Sequence, residues 1–225
     1  MSHTLVSTRL FHGPRYWAML NGAYSDGTIP LVPDALDACL DASEQRFRTH
    51  RRSTVARTWL GDHHVVIKRF NLPDTLTRLK RMVSRTPARQ SWINAQRLLA
   101  MDIATPTPIS CVERRYGPLR GESYLITAHV VGYGLDQFFS DPAIDDARKT
   151  RVGEKVLEIV ARLHRSGYIH GDLKARNILV RNDQPLMIDL DTVEYRWFPG
   201  RLRRGITDDI DRLMSTAMSG DRSFL

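Results

Sequence analysis

The clearest periodic signals along the chain come in pairs of short apolar runs and in two stretches with helical spacing. TVARTWLG (54–61) and HHVVIKRF (63–70) read as strands with Gly61 and Asp62 between them, which predicts a hairpin. In ARQSWINAQRLLAMDI, Trp92, Ala95, Leu98, Leu99 and Ile103 recur at helical spacing. TPTPIS ends that helix, because Pro106 and Pro108 hold the residues before them in extended conformations. ESYLITAHVVG then resumes as a strand, and Gly132 and Gly134 predict a flexible crossing between two lobes. Beyond it, Val152, Val156, Ile159, Val160 and Leu163 form one apolar stripe over about 146–166, and Gly167 is a natural stop. NILV and PLMIDLD are short strands around the turn RNDQP, and DDIDRLMSTAM returns to helix. Residues 1–45 are the least legible: NGAYSDGTIP is turn-rich, and DALDACLDASEQRF reads as a short amphipathic helix of structural purpose.

The pattern predicts an α+β chain in two parts, a strand-rich part over 1–130 and a more helical part over 131–225. Its 225 residues, 42% of them hydrophobic, suffice for two small lobes sharing a cleft. No run approaches the roughly 18 apolar residues of a membrane span, and the opening MSHTLVSTRLFHGPRYW lacks the layout of a secretory signal, which predicts a cytoplasmic protein. Cys39 and Cys111 stand alone, so neither a disulfide framework nor a thiolate zinc site is expected. The net charge of +8 changes the picture more: residues 1–130 hold 18 Lys/Arg against 10 Asp/Glu, whereas 131–225 hold 15 of each. Between Arg46 and Arg97 there are 13 basic and two acidic side chains, a field suited to phosphates, nucleic acid or an anionic membrane face.

Candidate chemistry concentrates in YIHGDLKARNILV (168–180). Asp172 and Asn177 are five apart on the segment between the long helix and the second hairpin, and Asp189 closes that hairpin. A hairpin brings its ends together. Asn177 and Asp189 would thus face one cavity as hard oxygen donors suited to Mg²⁺, with Asp172 beside them to accept a hydroxyl proton.

HGDLKARNILV followed by MIDLD resembles the catalytic loop and metal-binding segment of the protein-kinase-like superfamily. The resemblance implies that Asp172 is the base or orienter of the acceptor hydroxyl and that Lys174 steadies the transferring phosphoryl group. It implies that Asn177 and Asp189 hold Mg²⁺, that His170 organises the loop, and that Lys68 in VVIKRF pairs with the phosphates of ATP. DDIDRLM is similar to the helix whose aspartate supports that loop, with Asp209 or Asp211 in the role. The chain ends soon after, so the fold implied is a reduced two-lobed kinase with a short helical C-lobe.

HGDL and IDLD, together with SWINAQRLLAMDIATPTPIS and ESYLIT, most resemble the lipopolysaccharide core kinases that phosphorylate heptose or Kdo sugars, over roughly 53–215. This implies ATP and Mg²⁺ as cofactors, an anionic glycolipid acceptor, and peripheral contact with the cytoplasmic face of the inner membrane; nucleic acid is not an expected partner. The sequence also departs from the superfamily. No G-x-G-x-x-G precedes Lys68, where Arg51, Arg52 and Ser53 stand instead, and no Glu lies between Ser84 and Ala104 to pair with that lysine. Ser91, Asn94 and Gln96 are the possible substitutes, and Asp102 replaces a glycine in the turn after the helix. A RIO-like protein kinase and a pseudokinase binding module are the alternatives.

Overall fold

A computed structural model describes residues 7–43, 45–49, 52–72 and 84–218, those of 45–49 by backbone alone. The chain forms two compact units, Ser2–Gln96 with Thr107–His129, and Arg97–Pro106 with Val130–Leu225. Residues 73–83 and Arg51, within the basic stretch read from the sequence, lie outside the described residues.

The first unit is built on an antiparallel sheet of β1 (Thr8–Gly13), β2 (Tyr16–Asn21), β3 (Gln45–Thr49), β4 (Ser53–Leu60), β5 (His63–Phe70), β6 (Pro108–Tyr116) and β7 (Leu119–Ala128), in the order β1-β2-β6-β7-β5-β4-β3. The expected β4/β5 hairpin forms with Leu60 opposite His63, and Gly61 takes a φ of +57° in its two-residue turn. Two helices cover the sheet. α1 (Pro33–Ala42) begins with proline at its first position and buries Leu36 and Leu40 against Ala56, Val65, Ile67, Val112 and Ile126. α2 (Pro87–Ala100) lays Ala88 and Trp92 on the opposite face, against Trp17, Met19, Phe70 and Cys111.

Each helix is also tied down by a polar anchor. On α1, Asp37 accepts hydrogen bonds from the Tyr124 hydroxyl (2.8 Å), Arg114 Nη2 (2.8 Å) and Arg69 Nη1 (3.1 Å). At the start of α2, the Thr86 hydroxyl accepts from the amide of Arg89 (3.3 Å) and donates to Glu113 Oε1 (2.6 Å). Glu113 is fully buried on β6, and its other oxygen takes a guanidinium N–H of Arg115. Thr86 is therefore an N-cap whose own hydroxyl proton is consumed by a buried carboxylate.

In the second unit, α3 (Leu135–Ser140) and α4 (Asp146–Arg165) precede β9 (Tyr168–Ile169), β10 (Ile178–Arg181), β11 (Gln184–Met187), β12 (Glu194–Tyr195) and α5 (Pro199–Met218). The stripe read for the long helix is the buried side of α4: Val152, Val156, Ile159, Val160 and Leu163 all lie inside. Asn182 and Asp183 both have positive φ in the two-residue β10/β11 turn, as a type I′ hairpin requires. That turn is held to α4, where Arg148 Nε and Lys155 Nζ donate to the side chain and carbonyl of Asp183, each at 2.8 Å.

Two glycines differ from the sequence expectation. The flexible crossing expected around Gly132 and Gly134 is a short strand, β8 (Tyr133–Gly134), paired with β10. A Cβ at Gly132 would stand 2.7 Å from the carbonyl oxygen of Val180, so glycine serves a close backbone approach here. After α2, Asp102 has φ +56° while Ile103 N–H bonds the carbonyl of Leu98 and is buried. This is a Schellman ending with aspartate in the position that favours glycine. Arg162 of α4 binds both its carbonyl (2.7 Å) and its carboxylate (2.8 Å).

The Glu113 anchor carries a prediction. Glu113→Ala leaves Arg115 and the Thr86 hydroxyl without their buried acceptor and should lower unfolding free energy by about 3 kcal/mol. Asp34→Ala, which removes a carboxylate 78% exposed, should cost less than about 1 kcal/mol. Urea melts of both variants measure the difference.

Candidate active site

α4 ends at Ser166, and Gly167, with φ +79°, turns the chain into β9, which pairs with β12 through Ile169–Glu194 and Tyr168–Tyr195. Residues 170–177 leave this two-stranded ladder as a loop whose side chains alternate. Leu173 and Ala175 are fully buried, whereas Asp172 and Lys174, which alternate with them, are half-exposed. The amide of Ala175 donates to the Thr216 hydroxyl of α5 at 2.9 Å, which fixes the buried side of the loop.

The loop is organised from below by Asp209, a fully buried residue of α5. Its Oδ2 accepts from the His170 amide (2.7 Å) and its Oδ1 from the Gly171 amide (2.9 Å), with His164 Nε2 3.2 Å from Oδ2. Arg212, one turn on, donates to the carbonyl of Gly171. Of the two aspartates singled out in the sequence, Asp209 meets the loop and Asp211 is exposed. Burial on its own would raise the Asp209 carboxyl, but hydrogen bonds from His164 and from the loop amides outweigh it and hold the pKa below the ordinary carboxylate value.

His170 is the second fixed point. Its Nε2 lies 3.1 Å from the carbonyl of Ile188, and its own carbonyl accepts from the Thr192 hydroxyl at 2.8 Å. The Nε2–H tautomer follows from that carbonyl acceptor, which leaves Nδ1 as a buried nitrogen with no partner among the described residues. Burial pushes the imidazole pKa down despite the nearby carboxylates, so the ring is neutral. Gly171, with φ +80°, passes Thr192 so closely that a Cβ would lie 2.8 Å from that carbonyl oxygen.

These bonds bring the loop and the hairpin together. Asn177 Nδ2 donates to the carbonyl of Asp172 at 2.9 Å, and the carbonyl of Asn177 accepts from the Ile188 amide at 2.9 Å. Asp189 follows immediately with φ 63° and ψ 56°, a left-handed conformation uncommon for a residue with a Cβ. Asp172 holds Lys174 Nζ at 2.8 and 3.1 Å from its two oxygens. With the amide nitrogen of Asn177 committed as a donor, its side-chain oxygen is the atom left to face a cation. An amide oxygen and a carboxylate on adjoining backbone suit a hard divalent ion.

Lys68 stands in the other unit. On β5 it lies between Val55 of β4 and Leu125 of β7, with Nζ 4.7 Å from the centre of the Phe70 ring. By strand alternation Val66 and His64 share its face, and His64 stacks flat on Trp59, with ring centres 4.4 Å apart. Of the residues considered as its partners on α2, Ser91 donates to the carbonyl of Pro87, and Asn94 accepts from Gln90 Nε2 at 3.2 Å. Gln96 Nε2 is buried without an acceptor among the described residues. Thr192, Thr216, His164 and Arg212 were not singled out in the sequence; lone hydroxyls and a helix-end histidine carry no signal until the loop is folded against them.

The lipopolysaccharide kinase (Kdo/WaaP) family model matches residues 43–224. The chain is 29% identical over 106 residues to the lipopolysaccharide core heptose(I) kinase WaaP of Pseudomonas aeruginosa, a match covering 45% of this chain and 40% of that protein. The chain thus spans well under half the length of this relative. A solved structure described as WaaP in complex with acyl carrier protein superposes with a TM-score of 0.61 at 23% identity, over 83% of this chain and 76% of that one, which shows a shared kinase-like fold.

The buried His170 ring and the buried Asp209 carboxylate each make loop stability depend on pH in a stated direction. An unfolded chain protonates histidine below about pH 6.5, whereas folded His170 resists protonation. Stability should therefore fall as pH drops through that value, and the lowered Asp209 pKa adds a further loss below about pH 4. In His170→Asn the fall in melting temperature between pH 7.5 and 5.5 should be smaller than in wild type, as calorimetry at the two pH values will show.

Proposed function

The chain belongs to the lipopolysaccharide kinase (Kdo/WaaP) family, and from that premise we propose that it transfers the γ-phosphoryl group of ATP to a sugar hydroxyl of the lipopolysaccharide core. The observation that carries this reading is the bonded set Lys174–Asp172–Asn177, joined through the Ile188 amide to the strained backbone of Asp189.

In this reading Asp172 accepts the proton of the acceptor hydroxyl as its oxygen attacks the γ-phosphorus, and the bond to the bridging oxygen of ADP breaks. Lys174, already beside Asp172, offers its ammonium to the oxygens of the moving phosphoryl group. Lys68 meets the α- and β-phosphates. Asn177 and Asp189 would hold Mg²⁺, which when bound supplies charge neutralisation at the phosphates. His170 and Asp209 touch no reactant; they set where Asp172 and Asp189 stand. The half-exposure of Asp172 (35%) leaves its carboxylate open to an incoming hydroxyl.

The basic excess of the first unit suits an anionic glycolipid presented at a membrane. No helix among the described residues is long and apolar enough to cross one. Peripheral attachment is the corresponding proposal, with charge rather than insertion as the attraction.

Two outcomes test these proposals. With labelled ATP, Mg²⁺ and separate pools of core-truncated lipopolysaccharide, protein and small amino sugars, label should enter the lipopolysaccharide. Asp172→Asn should slow transfer by about 10²- to 10⁴-fold, and Asp189→Ala by more; full turnover in Asp189→Ala would refute the metal assignment, and label in protein alone would favour the RIO-like alternative. On flotation, the protein should rise with vesicles containing anionic lipid and release as salt increases, and indifference to lipid charge would refute peripheral attachment.

A further inference from the structure

A cleft of about 420 Å³ opens on the α5 side of the catalytic loop, lined by Gly171, Arg196, Arg201, Arg204, Asp208 and Arg212 among others. None of Asp172, Lys174, Asn177 or Asp189 lines it, so it is separate from the phosphate and metal end of the site and meets the loop at Gly171. Four guanidinium groups around one cleft would repel one another without compensation, and the acidic residues present are largely committed elsewhere. Asp209 is occupied by the loop amides and His164, and Glu194 by Arg196. Arg212 binds the Gly171 carbonyl, which carries no charge to match its own. The side chains of Arg201 and Arg204 have no hydrogen-bond or ion-pair partner among the described residues, and Asp208 is the one carboxylate left to face them. Arg196 in addition buries an Nε–H with no acceptor among the described residues. A buried guanidinium N–H without an acceptor, beside three further arginines, suits an oxygen-rich anion.

The position of the cleft says which molecule the anion belongs to. Gly171 forms its wall and the next residue along the loop is Asp172, the carboxylate proposed to receive the hydroxyl proton, so the cleft opens one residue before that carboxylate in the chain. We propose that this arginine cleft is an acceptor subsite, binding a phosphate monoester or carboxylate carried by the glycolipid and thereby presenting a neighbouring sugar hydroxyl to Asp172. This rests on the kinase reading for its purpose but not for its binding chemistry. Trp197 (75% exposed) and Phe198 (51% exposed) follow Arg196 directly in the chain and pack edge to face on each other, and exposed rings of this kind suit a sugar more than a free ion.

Calorimetry on the full chain tests the cleft directly, using deacylated core-truncated lipopolysaccharide, its phosphate-stripped form, its carboxyl-reduced form, and inorganic phosphate alone. Arg201→Ala/Arg204→Ala changes exposed residues, and an unchanged melting temperature confirms its fold. The double variant should bind the intact oligosaccharide about 10-fold or more weakly, while affinity for ATP stays within about twofold. Stripping phosphate or reducing carboxyl should weaken wild type and not the double variant, and whichever treatment does so identifies the anion. Arg201→Lys/Arg204→Lys should recover part of the affinity, because charge is restored without the planar fork. Equal binding by wild type and the alanine variant would overturn the proposal, as would inorganic phosphate binding as tightly as the oligosaccharide. Arginine-dependent oligosaccharide binding without phosphoryl transfer would sustain the subsite and refute the kinase reading instead.

Discussion

The second unit depends on one buried carboxylate. Asp209 is taken out of water entirely, a placement that is unfavourable unless each oxygen is bonded, and the partners available are the amides of His170 and Gly171 with the His164 ring. Those bonds fix two consecutive peptide planes at the start of the loop. From there the order propagates by single contacts: His170 reaches Ile188, the Ile188 amide reaches Asn177, and Asn177 reaches the carbonyl of Asp172. The circuit closes on the segment where it began. Asp189 is carried along as the residue after Ile188, and its left-handed backbone is tolerated because the bonds on either side over-determine it.

The first unit solves a related problem with different residues. Its sheet must hold a lysine strand steady while one helix covers each face, and packing alone leaves helices free to slide. Asp37 fastens α1 through three donors from β5, β6 and β7, and Glu113 fastens the start of α2 through Thr86. No glutamate stands on α2, and a buried glutamate on the sheet orients that helix by its cap. That arrangement secures the helix without placing a negative charge on its interior face. Lys68 is held in a strand flanked by Val55 and Leu125, with Phe70 beneath its ammonium.

How much of this the sequence disclosed follows from what each element buries. α4 was legible because one face is inside and the other in water, and β4/β5 and β10/β11 because turn residues separate their runs. β1, β2 and β6 were not. β2 is buried at every position from Trp17 to Asn21 and β6 from Pro108 to Glu113, and a strand covered on both faces loses the alternation that marks it. Gly132 read as flexibility because a sequence does not reveal a backbone 2.7 Å from where a Cβ would be. The candidate residues Asp172, Lys174, Asn177 and Asp189 follow from the resemblance to a kinase catalytic loop, and the structure bonds Asp172 to Lys174 and to Asn177. The choice between Asp209 and Asp211 needed the helix phase: two residues apart on a helix are about 200° apart around it, so only one could face the loop.

α5 joins these points into one mechanical unit. Its buried side gives Asp209 and Thr216 to the loop, and its other positions give Arg201, Arg204 and Arg212 to the cleft beside it. A helix of 20 residues is stiff over that distance, so the carboxylate that sets the loop and the guanidiniums that line the cleft keep a fixed spacing. Gly171 lies at the junction, with its amide on Asp209, its carbonyl on Arg212 and its missing side chain leaving room for Thr192. A substitution at Gly171 would therefore disturb the contact with Asp209 and the contact with Arg212 through a single residue.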